Sequence, residues 1–147
     1  MTKIHYELNH VSLPVTNLDI SIQFYSEVLG LEQTKRPEWV ENDITLTGVW
    51  FQLSNRTQLH LFNNDGVNFR QPYLSVRDCH FAVSVKKFYE VYDLIEKRAK
   101  DFYKKFAGSN GVNKHDFILK TPFFDKGRYL NFYLLDPDNH IIEINEM

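Results

Sequence analysis

The stretch His10–Val15, which reads HVSLPV, decides the fold, because a second stretch of the same pattern follows at His80–Val85, which reads HFAVSV. Each stretch opens on a histidine and places apolar side chains at alternate positions. Later in each half, one polar residue stands between two aliphatic residues, His60 in LHL and Glu143 in IEI. The chain therefore contains two copies of one module.

The four polar residues at matching points of the two copies indicate a metal site. Neighbouring side chains on a strand point to opposite faces, so His10, His60, His80 and Glu143 each leave their apolar neighbours for the other side of the sheet. A buried imidazole or carboxylate is costly unless it is paired or coordinated. This ligand set suits Zn²⁺, Ni²⁺, Fe²⁺, Mn²⁺ or Co²⁺ without a thiolate. The alternative is core histidines that hydrogen-bond to backbone, with Glu143 facing water at a sheet edge.

Composition excludes several classes of protein. The 147 residues fit one domain, or two small half-domains with a common core. The 17 basic and 19 acidic residues nearly balance, without a long basic run, which argues against a nucleic-acid partner. We find neither an apolar run of membrane-spanning length nor the hydrophobic core of a signal peptide. The single cysteine, Cys79, fits a reducing cytoplasm and is expected to be a small core residue.

The hydrophobic pattern of the first half predicts a strand, a helix and three strands. This module covers about residues 4–63. Its strands are predicted at 4–15, 31–36, 44–53 and 57–62. Its helix is predicted at about 18–29, where Gly30 ends it. A linker at residues 64–75 is expected to follow.

The second half, about residues 76–145, predicts the same order with a longer helix at about 86–106. Its strands are predicted at 76–85, 117–120, 129–135 and 140–145. The longer helix and loop explain why His80 and Glu143 lie further apart in sequence than His10 and His60. We predict an α+β fold of two βαβββ modules, paired as half-barrels around a central cavity for metal and substrate.

The chain resembles the vicinal oxygen chelate superfamily of glyoxalase I, fosfomycin- and bleomycin-resistance proteins and extradiol dioxygenases. The resemblance covers almost the whole chain. It is carried by HVSLPV at 10–15, FYSEVLGL at 24–31 and FYLLDPDNHIIEI at 132–144. It implies one domain over residues 1–147, in which two curled modules cradle one divalent metal. It also implies a homodimer, since many relatives pair and some build each site from modules of two chains.

The resemblance assigns the metal ligands to the first and last strands of each module. The matching positions are His10, His60, His80 and Glu143. The reaction is not assigned in the same way, because the family includes lyases, epimerases, transferases, dioxygenases and metal-free binding proteins. The dioxygenases carry a histidine shortly before the tyrosine of a Tyr-x-x-Asp-Pro segment. This chain has no histidine between His115 and His140, which counts against ring cleavage.

His60 is the position that separates the remaining alternatives. Fosfomycin-modifying relatives bind metal without a ligand on that strand, whereas relatives like glyoxalase I usually place glutamate there. An imidazole at this position is either a fourth ligand or a proton-transfer group, because a neutral histidine is a suitable base near neutral pH.

We therefore predict a cytoplasmic, metal-dependent, glyoxalase-like enzyme of the lyase or isomerase type, acting on a small oxygen-chelating substrate. The metal would stabilise an enolate while Glu143 or His60 moves a proton between carbons. No nucleic-acid or membrane partner is expected. The alternatives are a fosfomycin-resistance-like transferase or hydrolase, and a metal-free protein that sequesters a ligand.

Overall fold

The computed structural model describes residues 4–38, 47–64, 79–109, 112, 118–119 and 130–147. Each half contains a strand, a helix and three further strands. In chain order they are β1 His10–Val15, α1 Leu18–Gln23, β2 Gln33–Thr34, β3 Val49–Gln52, β4 Gln58–Asn63, β5 His80–Val85, α2 Phe88–Lys105, β6 Ile118–Leu119, β7 Asn131–Leu135 and β8 Ile141–Glu146. The predicted linker lies outside the described residues from position 65 onward, as do the predicted strand positions 44–46 and 76–78.

The strands form two four-stranded sheets of the same design, with the orders β1-β4-β3-β2 and β5-β8-β7-β6. In each sheet the first and last strands of the module pair in parallel, and the other pairs are antiparallel. The register places Ser12 beside His60 in the first sheet and Ala82 beside Glu143 in the second. The predicted α+β fold of two βαβββ modules is confirmed.

One face of each sheet carries the hydrophobic core. Leu59 and Leu61 of the first sheet and Ile142 and Ile144 of the second belong to a single buried cluster with residues of the helices. Because side chains alternate along a strand, His60 and Glu143 lie on the opposite faces. We call the face of each sheet opposite the core its site face.

The predicted first helix is present in two parts. Asn17 caps α1, since its side chain accepts a hydrogen bond from the backbone N–H of Ile20 at 3.1 Å. A π-helical turn, Phe24–Val28, follows. Phe24, Tyr25 and Val28 are all fully buried in this turn.

The first strand is shorter than predicted and begins at His10 rather than at residue 4. Its partner β4 begins at Gln58, directly beside His10. Within the part of the chain that the structure describes, no strand extends the ladder further, so residues 4–9 lie outside the sheet. Ile4, Tyr6 and Leu8 are exposed there.

Helix α2 joins the cores of the two modules. It buries Phe88, Ile95, Ala99 and Phe102 on one side, which is the spacing of an amphipathic helix. Phe102 meets Phe24 of the first module edge to face, with ring centroids 5.4 Å apart. This common core supports the proposal of one domain. No helix among the described residues is both long and apolar enough to cross a membrane.

A buried carboxylate ties the turn after β7 to the first module. Asp136 is fully buried and accepts hydrogen bonds from the Tyr25 hydroxyl at 2.9 Å and from the backbone N–H groups of Asp138 and His140 at 2.9 and 2.7 Å. The His140 ring donates from Nε2 to the carbonyl oxygen of Pro14 at 2.7 Å. The position of β8 relative to β1 therefore depends on this turn.

Burial raises the pKa of Asp136 to about 6, so the folded protein should gain stability as the pH falls from 7 to 4. In that range the native state holds a proton that the unfolded chain has lost, and stability then rises with falling pH. Two pKa units correspond to about 3 kcal/mol. Asp136→Asn keeps the shape without the titration. When urea unfolding is measured at several pH values, the free energy of unfolding of wild type should rise relative to that of Asp136→Asn by up to this amount between pH 7 and pH 4. Parallel curves of stability against pH for the two proteins would contradict the raised pKa of Asp136.

Candidate metal and substrate site

On the site face of the second sheet, His80 and Glu143 come into contact. Nε2 of His80 lies 3.0 Å from Oε2 of Glu143. The other carboxylate oxygen, Oε1, accepts a hydrogen bond from Nδ2 of Asn131 at 3.1 Å. Tyr133, which pairs with Glu143 in register, meets the His80 ring edge to face at 5.7 Å. The carboxylate is thus held by groups from both neighbouring strands.

On the site face of the first sheet, Trp50 joins the two other predicted ligands. The ring of His60 stacks on the Trp50 indole, with centroids 4.2 Å apart and an interplanar angle of 2°. His10 meets the same indole at 5.5 Å and 64°. Trp50 pairs with His60 in register, and both are only 2% exposed. His10 and His60 therefore lie in one aromatic group.

The hydrogen bond of His60 fixes which ring nitrogen carries its proton. Nε2 lies 3.0 Å from the carbonyl oxygen of Thr47. A carbonyl oxygen only accepts, so Nε2 donates, and the neutral ring keeps its lone pair on Nδ1. Gly48 makes this approach possible. A Cβ at Gly48 would lie 2.1 Å from the Leu61 carbonyl oxygen and 2.9 Å from Nε2, at a φ of +130°.

The surroundings of His60 favour the neutral imidazole. Burial lowers its pKa below the ordinary value, the Thr47 carbonyl opposes this, and the charges of His10 and Arg36 lower it further. The net direction is downward, so His60 is neutral at pH 7. A neutral imidazole is the form that binds a metal or accepts a proton.

A pocket of about 330 Å³ lies at the seam between the modules and reaches His80. Its other lining residues are mostly apolar and come from β1 and from the beginnings of β5 and β8: Val11, Leu13, Pro14, Cys79, Phe81, His140 and Ile141. Pockets of this volume hold small molecules. Val11, Leu13 and Phe81 lie on the core faces of their strands, so the pocket borders His80 at the beginning of β5, and Glu143 is not among its lining residues.

The 3.0 Å separation of Nε2 of His80 from Oε2 of Glu143 is that of a hydrogen bond, and it also fits two ligands of one metal. Atoms that occupy adjacent positions on a divalent ion are about 3 Å apart, because each bond is about 2.1 Å long. His10 and His60 are grouped on the other sheet. Among the described residues, no three His, Cys, Asp or Glu side chains lie close enough to hold a metal together. The four-ligand site therefore stays a prediction.

Sequence reasoning missed Asn131 and Trp50. Asn131 occupies a position of β7 that alternates with Tyr133 toward the site face, and this polar alternation was the available signal. A tryptophan on a strand is typical of a core, so Trp50 gave no such signal.

The prediction that Cys79 is a core residue is wrong. Its thiol is exposed, because Cys79 precedes the first paired residue of β5.

Comparison with solved structures finds the same fold across the chain. A glyoxalase family protein from Bacillus anthracis is 19% identical, with 99% of this chain and 98% of that chain covered at a TM-score of 0.65. A glyoxalase family protein from Enterococcus faecalis is 22% identical, with 95% and 97% covered at 0.62. The fosfomycin resistance protein FosX from Listeria monocytogenes is 19% identical, with 98% and 93% covered at 0.57. Comparison with curated proteins gives no significant match.

Paired βαβββ modules of this kind define the vicinal oxygen chelate class of proteins. Residues 7–144 match the family model of the Glyoxalase/Bleomycin resistance protein/Dioxygenase superfamily. The match spans most of the chain, and the protein belongs to this superfamily.

Nuclear magnetic resonance of ¹⁵N-labelled protein tests the state of His60. At pH 7.5 a long-range ¹H–¹⁵N correlation spectrum should show a protonated Nε2 and an unprotonated Nδ1, because the Thr47 carbonyl requires a donor at Nε2. His60→Ala assigns the signal, and the exposed His5 serves as a comparison. A protonated Nδ1 at His60 would contradict the hydrogen-bond assignment.

Proposed function

We propose that the protein is a metal-dependent, glyoxalase-like enzyme of the lyase or isomerase type that acts on a small oxygen-chelating substrate. The observation that carries this proposal is the contact of His80 with Glu143 at 3.0 Å, and His80 also borders a pocket of about 330 Å³. Family membership supports it. The substrate's oxygens would lie near this pair, on the site face of the second sheet.

The proposed metal ligands are His10, His60, His80 and Glu143, for Zn²⁺, Ni²⁺, Fe²⁺, Mn²⁺ or Co²⁺. A divalent ion held by these residues would act as a Lewis acid on two neighbouring substrate oxygens and stabilise an enolate. Metal-binding histidines commonly donate their other ring N–H to a carbonyl. The Thr47 carbonyl receives such a bond from His60, so Nδ1 would be the ligand atom of His60.

Glu143 and His60 are the proposed proton-transfer groups. The Nδ1 lone pair of His60 serves either as a ligand or as a base. We favour coordination for His60 because its Nε2–H is already engaged in the manner of a metal-bound histidine. Glu143 would then move the proton between the two substrate carbons, since a carboxylate offers a second oxygen.

We also propose a homodimer whose sites combine residues of two copies. The core faces of both sheets belong to one cluster, so the two site faces of one copy point away from their common core. The first sheet of one copy would face the second sheet of the other. His10 and His60 of one copy would thereby join His80 and Glu143 of the other.

Metal titration tests the ligand set. Protein purified without an affinity tag should contain about one divalent metal per chain, and calorimetry with Zn²⁺ or Mn²⁺ should give much weaker binding for His80→Ala and Glu143→Ala. The loss should exceed about 100-fold, because even outer-shell changes cost 10–100-fold. His5→Ala, at an exposed histidine, is the matched control. His60→Ala should also weaken binding, and unchanged affinity would assign His60 as a base instead.

A wild-type protein that contains no metal and takes up none would contradict the enzyme proposal. It would favour the second candidate, a metal-free protein that sequesters a ligand. This candidate is kept because the described residues of one copy assemble no three-ligand group. The fosfomycin-resistance-like alternative is consistent with the same fold and would need only His10, His80 and Glu143.

Mixing two inactive variants tests the arrangement of the dimer. Light scattering should give twice the chain mass of 17.5 kDa. His10→Ala and Glu143→Ala should each lose metal binding alone. After subunit exchange, up to about a quarter of the sites should recover, since a hybrid dimer has one site with both defects and one with neither. A monomer mass at micromolar concentration, or no recovery on mixing, would overturn the arrangement.

A further inference from the structure

We propose that Asn131 is a positioning residue that aims the Glu143 carboxylate at the metal; this rests on the proposed function. Asn131 is the first residue of β7 and is 8% exposed. Its Nδ2 donates to Oε1 of Glu143 at 3.1 Å and to the Tyr133 hydroxyl oxygen at 3.3 Å. Both hydrogens of the Asn131 amide therefore form hydrogen bonds on the site face.

The chemistry of the carboxylate explains why such a residue is needed. A carboxylate only accepts hydrogen bonds, so the group of Asn131 that faces Glu143 must be its NH₂. The terminal torsion of a glutamate has broad minima and is easily rotated. With Oε1 held by Asn131, the oxygen presented to His80 is Oε2, at 3.0 Å. Without Asn131, a buried carboxylate oxygen would lose a donor, and the side chain would turn to find another.

The first module holds its matching residue in the same manner. In register, Trp50 pairs with His60 as Tyr133 pairs with Glu143. The group that holds the last-strand residue is close to the start of the preceding strand in both modules: Thr47 lies two residues before β3, and Asn131 is the first residue of β7. His60 donates to the backbone carbonyl oxygen of Thr47, and Glu143 accepts from the side-chain amide of Asn131. An imidazole N–H needs an acceptor, which the Thr47 carbonyl supplies. A carboxylate needs a donor, which the Asn131 amide supplies.

Asn131→Leu removes the donors at similar volume, and Asn145→Leu is the matched control. Asn145 pairs with Asn131 in register, is equally buried at 8%, and accepts a hydrogen bond from Ser84. In calorimetric titration with Mn²⁺ alone, Asn131→Leu should weaken binding about 10–100-fold, the usual effect of an outer-shell change. Asn145→Leu should stay within about threefold. Asn131→Ala is the second variant if leucine prevents folding.

A second readout uses the metal-free protein. The His80 ring ¹⁵N signals should shift in Asn131→Leu, because Oε2 of Glu143 leaves Nε2, and should stay in place in Asn145→Leu. Unchanged Mn²⁺ affinity in both Asn131 variants, or equal losses for positions 131 and 145, would overturn the proposal. If wild type binds no metal, the proposed function fails, and unchanged His80 signals would then overturn the positioning role separately.

Discussion

The parallel pairing of the first and last strand of each module is the constraint on which the rest of the structure depends. It places Ser12 beside His60 and Ala82 beside Glu143. Because a shift of one residue would turn every side chain to the other face, the same register that buries Leu59, Leu61, Ile142 and Ile144 also directs the polar residues away from the core. The register of these strands therefore determines both which side chains form the core and which face the candidate site.

The second requirement is that the two modules keep a fixed relation to each other. Aromatic contacts between α2 and the π-helical turn supply apolar packing, and Asp136 accepts a buried hydrogen bond from the Tyr25 hydroxyl. A buried polar group is costly when its partners are lost. Separation of the modules would leave the Asp136 carboxylate without its tyrosine. The pocket beside His80 lies at this same seam, so its shape depends on both sets of contacts.

Much of the fold follows from the sequence alone. The repeated histidine-led strands, the alternation around His60 and Glu143, and the stripe of α2 predicted the element order correctly. The exceptions have physical causes. Residues 4–9 lack a neighbouring strand among the described residues, and Cys79 lies before the ladder begins. The local sequence pattern predicts neither the late start of β1 nor the exposure of Cys79, because both depend on the residue at which the partner strand begins.

The candidate site was less predictable. The contact of His80 with Glu143 joins residues that were selected from their positions, but the groups that hold them were not foreseen. The Thr47 carbonyl reaches His60 only because Gly48 leaves room for the backbone. Asn131 reaches Glu143 across neighbouring strands. Such contacts depend on side-chain geometry between strands, which periodicity along one strand does not specify.

The most direct test of a metal centre at His80 and Glu143 is anomalous X-ray diffraction from crystals grown with Zn²⁺, measured on both sides of the zinc absorption edge. For the proposed metal site we expect one strong anomalous peak per chain, at about 2.0–2.2 Å from Nε2 of His80 and from a carboxylate oxygen of Glu143. A peak on other residues, or no peak at this pair with zinc present in excess, would contradict it.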